Sequence, residues 1–432
     1  MLVIYKLLFD KLNESNVRYF IYKGIEHLNE DLSGKRGDVD LFVDSTQNSL
    51  FENVVSVIGY KKVRKAGASH FYYGLDIDSG MPSLLDVANC IPLGTKPYKY
   101  IDLQINYADL NVVDDPVYSS VKVLAQEDYL KLKYLIRISS DRLSNSDTDG
   151  LVNIRFNNLP KSALDKVYYG IFGDDFLCEI KNKSPEEIML RFQSQFRYIL
   201  KIRRSEYLKK RFSLYYRVFQ KILLIAGVPR YRLQKKGRLI AFVGVDGAGK
   251  SSIIKRIEEM AYFKSLSVKT MYFGNNQYWI PILSQVARKV NNKRLLRFIS
   301  VFTRIDRQLR IFIALYYIFL GRDILADRYY YDDLYTRQAN TDAQARGMKK
   351  WFHNKLRTIT SVRMLYTPDL TIFLNVSPDV SFSRKQDYNY EKLVNTITGY
   401  RKILIDRKEV VTVNADKPLD QVFRTVLLTL TK

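Results

Sequence analysis

The chain has 432 residues, 47% of them hydrophobic and 26% charged, and its formal net charge is +24. Two cysteines cannot form a disulfide framework, which excludes a small disulfide-stapled secreted protein and favours a reducing cytoplasm. The longest apolar run, 311–320, is far shorter than the roughly 20 residues that a membrane-spanning helix needs. We therefore expect two or three globular domains in the cytoplasm, with a strongly basic surface.

The first 115 residues alternate between helical and extended patterns. The N-terminal segment predicts an amphipathic helix, and its early charged residues argue against a signal peptide. Four apolar segments predict strands, namely 19–24, 37–43, 70–76 and 83–88. We therefore predict an α+β domain over residues 1–115.

Three carboxylates fall on the predicted strands of this domain. Asp38 and Asp40 are two positions apart, so on a strand their side chains point to one face. Asp86 lies on another predicted strand. If that strand is a neighbour, the three carboxylates would complete a two-metal site of the kind that nucleotidyl transfer requires.

The N-terminal region resembles the minimal nucleotidyltransferases over about 100 residues. The resemblance is carried by Lys23-Gly24 and by the D-x-D motif in the segment 36–43. The resemblance implies that Asp38, Asp40 and Asp86 hold metal ions. This chain has Gly24-Ile25 where those proteins have a Gly-Ser that contacts the triphosphate. Three alternatives follow: an active nucleotidyltransferase-like domain, the same fold kept for binding, or a surface turn with two acids.

Residues 116–236 have a mainly helical pattern and predict a basic connecting region. Ser184, Pro185 and Glu187 form a helix start with a cap, a proline at the first position and a capping-box acid. The stretch from Arg191 to Arg238 holds fifteen Lys or Arg and one acid, with aromatic and aliphatic residues interleaved. This pattern fits a solvated linker helix, a peripheral contact with an anionic membrane face or, with less weight, a nucleic-acid surface.

Residues 237–432 alternate between strand and helix patterns, which predicts a doubly wound parallel sheet. The segment 244–252 satisfies the pattern G-x-x-x-x-G-K-[ST], directly after the apolar strand 238–243 and before a helical pattern. Its glycines let backbone N–H groups turn towards an anion, and the helix start adds positive potential. This P-loop predicts binding of a nucleoside triphosphate. The candidate binding residues are Gly244, Asp246, Gly247, Ala248, Gly249, Lys250, Ser251 and Ser252.

Three later segments extend the pattern: 321–329 with D-R-Y, 368–378 with a strand and a turn, and 410–416 with a last strand. Together with the P-loop they resemble the thymidylate kinases, members of the nucleoside monophosphate kinase group of P-loop proteins, over about 195 residues. The resemblance implies a P-loop fold, ATP as the phosphate donor and Mg²⁺ as the metal, held by Ser251 with Asp327. It implies catalytic roles for Lys250, Asp327, Arg328 and, on a lid, Arg384.

The acceptor side departs from the thymidylate kinase pattern, whereas the donor side is intact. Val243 stands where those enzymes have an acid, and the segment 272–276 lacks the arginine that binds the acceptor phosphate. Asp332 takes the place of a serine, and 335–337 differs at base-facing positions. We therefore expect an acceptor other than thymidylate, such as a nucleoside or a sugar hydroxyl.

Three functions stay open from the sequence. The first is an ATP-dependent phosphotransferase acting on a small-molecule acceptor. The second is a bifunctional kinase and nucleotidyltransferase acting on a sugar or a nucleoside in envelope polysaccharide synthesis. The third is an ATP-binding switch or scaffold with little turnover.

Overall fold

The computed structural model describes most of the chain in two compact units, Met1–Ile222 and Leu223–Lys432. The described residues are 1–63, 70–94, 101–103, 105–140, 162–180, 183–202, 236–274, 308–331, 366–385 and 389–431, with 222, 225, 228, 233 and 306 as isolated positions. Within these residues, no helix is long and apolar enough to cross a membrane.

A seven-stranded mixed sheet forms the centre of the N-terminal unit. Its strands are β1 Tyr19–Ile21, β2 Val39–Val43, β3 Lys61–Val63, β4 His70–Leu75, β5 Pro82–Ala88, β8 Val112–Asp114 and β9 Lys122–Leu124; β6 Ile91–Leu93 and β7 Ile101–Leu103 form a separate antiparallel pair. The strand order is β3-β4-β5-β2-β1-β9-β8. The pairs β2–β5 and β1–β9 are parallel, and the other neighbours are antiparallel.

Alternate residues of the central strands enter two separate hydrophobic cores, because successive side chains of a strand point to opposite faces. Leu41 of β2 lies in one core and Phe42 lies in the other. Helices cover both faces: α1 Val3–Glu14, α2 Leu28–Leu32 and α3 Asn48–Ile58 on the first; α4 Gln126–Ser139, α5 Ala163–Phe172, α6 Asp174–Ile180 and α7 Pro185–Ile202 on the second.

The predicted boundary at residue 115 falls before β9, which belongs to the same sheet as the earlier strands. The helices that follow β9 pack on that sheet, so residues up to 202 extend the N-terminal core. The division into 1–115, 116–236 and 237–432 stays a prediction. Much of the basic stretch, including all of residues 203–221, lies outside the described residues.

The C-terminal unit contains a five-stranded sheet in which every strand is parallel to its neighbours. Its strands are β10 Leu239–Val243, β11 Lys269–Tyr272, β12 Ile324–Asp327, β13 Leu370–Asn375 and β14 Val410–Asn414, in the order β11-β12-β10-β13-β14. The helices are α8 Lys250–Glu259, α9 Ala261–Ser265, α10 308–319, α11 Pro378–Arg384, α12 Tyr390–Leu404 and α13 Leu419–Thr431. The predicted P-loop α/β fold is confirmed.

The central strand of this sheet positions the P-loop. All five residues of β10 are buried, as expected for a strand with both faces covered. After β10 the chain builds β11 and β12 on one side and β13 and β14 on the other. The strand order therefore reverses at the carboxyl end of β10, which is where open α/β sheets bind their ligands.

Candidate active site

The loop between β10 and α8 takes a backbone shape that its glycines permit. Gly247 and Gly249 have φ angles of 86° and 90°, a left-handed conformation that other residues rarely adopt. Gly249 directly precedes α8, which begins at Lys250. The first N–H groups of that helix therefore face the loop and the space in front of it. The loop has the geometry of an anion cradle, and anion binding by its residues stays a prediction.

Lys250 is the cation built into this cradle. Its side chain is buried, and Nζ donates hydrogen bonds to the carbonyl oxygens of Gly244 at 2.8 Å and Val245 at 2.9 Å. The carboxylate of Asp246 lies 3.8 Å from the same ammonium group. A buried charge with several close partners is fixed in place, which is what stabilisation of a developing negative charge requires.

Ser251 and Asp327 come together beside the cradle. Ser251 Oγ donates to Asp327 Oδ2 at 3.3 Å, which joins the start of α8 to the end of β12. The other carboxylate oxygen, Oδ1, is buried and accepts no hydrogen bond from the part of the chain that the structure describes. A hydroxyl and a carboxylate are oxygen ligands of the type that Mg²⁺ prefers. These two residues therefore fit the predicted magnesium site.

Arg328 follows β12 and turns its side chain towards the P-loop. Its φ angle of 65° is left-handed, and its N–H donates to the carbonyl oxygen of Phe242 at 3.1 Å. The guanidinium Nη2 is bonded to Asp246 Oδ1. The charge of Arg328 is thus partly compensated by a carboxylate of the same site.

A cleft of about 470 Å³ connects these groups. Arg384, at the end of α11, lines it and donates from Nη1 to the carbonyl oxygen of Ala415 at 3.0 Å. Sequence reasoning missed several lining residues: Tyr272, Lys385, Lys417, Leu419 and Val422. Most of them lie on segments that end or follow parallel strands, so the rule that ligands bind at carboxyl ends of such strands could have indicated them.

A smaller cavity of about 100 Å³ adjoins the other side of the P-loop. Gly244, Val245, Asp246 and Arg328 form one wall, and α12 supplies Lys392, Leu393, Thr396 and Tyr400. The spacing of four residues places 392, 396 and 400 on one side of that helix. The sequence did not single out Lys392 or Thr396 as candidate site residues.

Several predicted acceptor-side positions fall outside the described residues. These are Asn275 and Asn276, Asp332, and the segment 335–337.

The second predicted constellation lies in the N-terminal unit. β2 and β5 are parallel neighbours, and their register sets Asp40 directly opposite Asp86. Lys23 Nζ donates to Asp40 Oδ1 at 3.3 Å and to the Tyr22 hydroxyl at 3.1 Å. Asp38 lies just before β2 rather than within it.

The carboxylates of this constellation raise the pKa values of two neighbouring groups, Tyr22 and Asp31. Burial raises the pKa of Tyr22 well above its ordinary value, and the charges of Asp40 and Asp86 raise it further. Burial also raises the pKa of Asp31, a residue of α2 that the sequence did not single out; Arg36 and His27 oppose that shift, and the nearby Asp38 and Asp40 add to it. The result is a locally negative site balanced in part by Lys23.

Within the described residues, no group of three or more His, Cys, Asp or Glu side chains stands at metal-binding spacing. Asp40 and Asp86 are brought together, but the assignment of Asp38, Asp40 and Asp86 as metal ligands stays a prediction. The nucleotidyltransferase-like character of this unit likewise stays a prediction.

The C-terminal unit combines a P-loop, a parallel sheet and a cleft in which Lys250, Asp327 and Arg328 meet. These features define a P-loop kinase domain. No protein-family model matches the chain. The chain is similar to a probable thymidylate kinase of Staphylothermus marinus, with 27% identity over 201 residues, which is 45% of this chain and 94% of that protein.

Two further relatives match a similar share of this chain. A probable thymidylate kinase of Archaeoglobus fulgidus is 29% identical over 191 residues, covering 43% of this chain and 90% of its own length. The thymidylate kinase of Plasmodium falciparum is 23% identical over 205 residues, covering 46% and 92%. These relatives support a phosphotransferase similar to the nucleoside monophosphate kinases.

Among solved structures, a deoxyadenosine kinase from M. mycoides with bound dATP aligns with 45% of this chain and all of its own, at 17% identity and a TM-score of 0.34. So low a TM-score adds no weight to the assignment of the fold, which rests on the strand order and the P-loop.

Proposed function

We propose that the protein is an ATP-dependent, Mg²⁺-requiring kinase whose acceptor binds beside Asp246 and Arg328. The observation that carries this proposal is the convergence of Lys250, Ser251, Asp327 and Arg328 at the carboxyl edge of one parallel sheet. Phosphoryl transfer needs fixed positive charge around the transferred group more than it needs a strong base. This arrangement supplies such charge on both sides of the P-loop.

On the donor side, the backbone N–H groups of the P-loop and the start of α8 would bind the phosphates, and Lys250 would neutralise charge on the transferred group. Ser251 and Asp327 would hold Mg²⁺, which supplies positive charge to the phosphate oxygens when it is bound. Arg384 lines the same cleft and would close on the transferred group from α11. The nucleotide base would lie against the apolar wall formed by Leu419 and Val422.

On the acceptor side, the small cavity favours an acceptor with little negative charge. Asp246 contributes a carboxylate to its wall and already engages the guanidinium of Arg328. A carboxylate accepts hydrogen bonds from hydroxyl groups and repels phosphate. We therefore propose a nucleoside or a sugar hydroxyl as the acceptor.

The test is ATP consumption by the purified full-length protein against a panel of nucleosides, nucleoside monophosphates and sugars, each with and without Mg²⁺. We expect one neutral acceptor to stimulate turnover well above the level with ATP alone. ATP binding without stimulation by any member of the panel would favour the switch or scaffold instead.

A second candidate function is nucleotidyl transfer by the N-terminal unit, which would make the protein bifunctional and fits a role in building an activated sugar or nucleoside. The pairing of Asp40 with Asp86 on adjacent parallel strands favours it. Pyrophosphate release from each nucleoside triphosphate, in the presence of Mn²⁺ or Mg²⁺ and the phosphorylated acceptor, tests it. No release above a control without protein would contradict it.

A further inference from the structure

Ser381 makes a contact that phosphate-binding chemistry alone does not explain. It lies in the middle of α11, and its side chain is almost completely buried. The hydroxyl Oγ donates to the backbone carbonyl oxygen of Asp246 at 2.8 Å. Asp246 belongs to the P-loop, so a side chain of one helix holds the loop that would bind the phosphates.

The backbones of the two segments are also in direct contact. A Cβ atom built at Gly247 would lie 2.8 Å from the carbonyl oxygen of Ser381 and 3.2 Å from its Oγ. No side chain fits between the loop and the helix at this point. A shift of α11 therefore displaces the P-loop, and a shift of the P-loop displaces α11.

The same short helix carries Arg384, one turn beyond Ser381, into the cleft. Both ends of the helix are attached to the segment after β14. The N–H of Ser377 donates to Asp416 Oδ1 at 2.7 Å, and Arg384 Nη1 donates to the carbonyl oxygen of Ala415 at 3.0 Å. Ser381 therefore provides the attachment of this helix to the phosphate-binding side of the cleft.

We infer that Ser381 is a positioning residue that fixes the distance between the P-loop and Arg384. The inference rests on the proposed phosphoryl transfer, because Arg384 is a catalytic group only in that reaction. Removal of the hydroxyl leaves the carbonyl of Asp246 without this donor and lets α11 move relative to the loop. Arg384 then meets the transferred group in fewer productive orientations, which lowers the turnover rate more than it weakens ATP binding.

The first measurement compares Ser381→Ala with the wild type in steady-state kinetics. We expect kcat to fall about two- to tenfold, the range that one hydrogen bond contributes, while KM for ATP changes less than twofold. Ser381→Cys keeps a similar shape with a weaker donor and should lie between the two. The matched control is Ser383→Ala, since Ser383 lies on the same helix but is exposed and, among the described residues, donates only to the carbonyl oxygen of Val380 at 2.9 Å.

The second measurement is a double-mutant cycle with Arg384→Ala, supported by thermal unfolding of every variant. If Ser381 acts through Arg384, Ser381→Ala lowers kcat in the wild-type background and has no further effect in the Arg384→Ala background. Equal losses in both backgrounds, or a wild-type kcat for Ser381→Ala, would overturn the inference while leaving the kinase assignment intact. Wild-type protein that consumes no ATP with any acceptor would overturn the proposed function, and the positioning role with it.

Discussion

The two units of this protein place a lysine beside aspartates in different ways. In the C-terminal unit, Lys250 is the first residue of α8, directly after the P-loop, and backbone carbonyls hold its ammonium group. In the N-terminal unit, Lys23 meets Asp40 of β2, which faces Asp86 on the next strand. The proposed kinase site would therefore offer positive charge to phosphate, and the proposed metal site would offer negative charge.

This contrast follows from the sheets that carry the sites. A parallel sheet with helices on both faces leaves its loops at the carboxyl edge, where backbone N–H groups are available for phosphate. The N-terminal constellation instead uses side chains within the strands, because Asp40 and Asp86 lie directly opposite each other on the parallel pair β2 and β5. The first two of the following four experiments test whether the two units do separate chemistry, and the other two test one unit each.

The largest effect is expected for Lys250→Ala in the C-terminal site. Loss of one fixed electrostatic contact to a transition state lowers the rate by about 10²–10³, so kcat with ATP should fall by this factor. Any pyrophosphate release by the N-terminal unit should not change. Lys255→Ala is the control, because Lys255 lies on the same helix with its side chain 76% exposed. Wild-type turnover in Lys250→Ala would remove the basis for the kinase assignment.

The next effect concerns the N-terminal site. Asp40→Asn removes a negative charge next to Lys23, and Asp86→Asn removes the one opposite Asp40. Mutation of even the outer-shell partners of metal ligands typically costs about 10–100-fold. We expect Mn²⁺ affinity, measured by isothermal titration calorimetry, and metal-dependent pyrophosphate release to fall by about this factor. ATP consumption at the kinase site should stay at the wild-type level.

Asp78→Asn, on an exposed turn of the same unit, is the matched control for these two variants. If the wild type binds no Mn²⁺ in this unit, the hypothesis that the N-terminal unit catalyses nucleotidyl transfer is wrong. The alternative of a fold kept for binding then remains.

A smaller effect is expected on acceptor choice. With Arg328 paired to Asp246, a phosphate on the acceptor loses a charge-assisted hydrogen bond worth about 1.5–3 kcal/mol. Thymidylate should therefore have a kcat/KM roughly tenfold or more below that of the best neutral acceptor. Steady-state kinetics with ATP measure both values. A kcat/KM for thymidylate within the usual enzyme range of about 10⁴–10⁸ M⁻¹s⁻¹ would instead support the function of the relatives.

The smallest effect concerns the stability of the N-terminal unit. Asp76 is buried and accepts hydrogen bonds from the N–H groups of Ile4 and Ser79, both at 2.9 Å, and from Ser79 Oγ at 2.8 Å. Burial alone would raise the pKa of Asp76, but these hydrogen bonds hold it below its ordinary value. Asp76→Asn should therefore lower the free energy of unfolding by about 1–3 kcal/mol, measured by urea denaturation at pH 7.

The stabilisation that Asp76 provides should depend on pH, and the direction of that dependence follows from its lowered pKa. A carboxyl group with a depressed pKa in the folded state stabilises the protein fully above its unfolded pKa of about 3.9, and the contribution is lost as the pH falls through the folded value. The difference between wild type and Asp76→Asn should thus shrink below pH 4. A difference independent of pH would show that the carboxylate charge plays no part.

Local pattern was sufficient to predict the elements that carry the donor site. The P-loop, the strand before it and the helix after it were all placed within two residues, because a glycine loop between an apolar run and a helical pattern has few other structures. The parallel sheet was predicted from the alternation of elements. In the N-terminal unit, the strand of Asp40 and the strand of Asp86 were also predicted.

Contacts between distant segments could not be predicted. Nothing local in the sequence indicates that Ser381 reaches Asp246, 135 positions earlier, or that Asp31 lies near Asp40. The placement of β9 in the N-terminal sheet was also missed, since a three-residue strand carries too little pattern to show its partner. Such features depend on tertiary packing, which overrides short-range preference.

At Arg328, the residue that the proposed turnover requires is not the residue that would make the fold most stable. Its left-handed backbone costs a residue with a Cβ about 1–2 kcal/mol, and glycine would adopt the same conformation without that cost. Glycine would also remove the guanidinium that binds Asp246. In a library randomised at position 328, selection for heat resistance should enrich glycine, whereas selection for turnover should retain arginine. The two selections should therefore yield different residues at this one position.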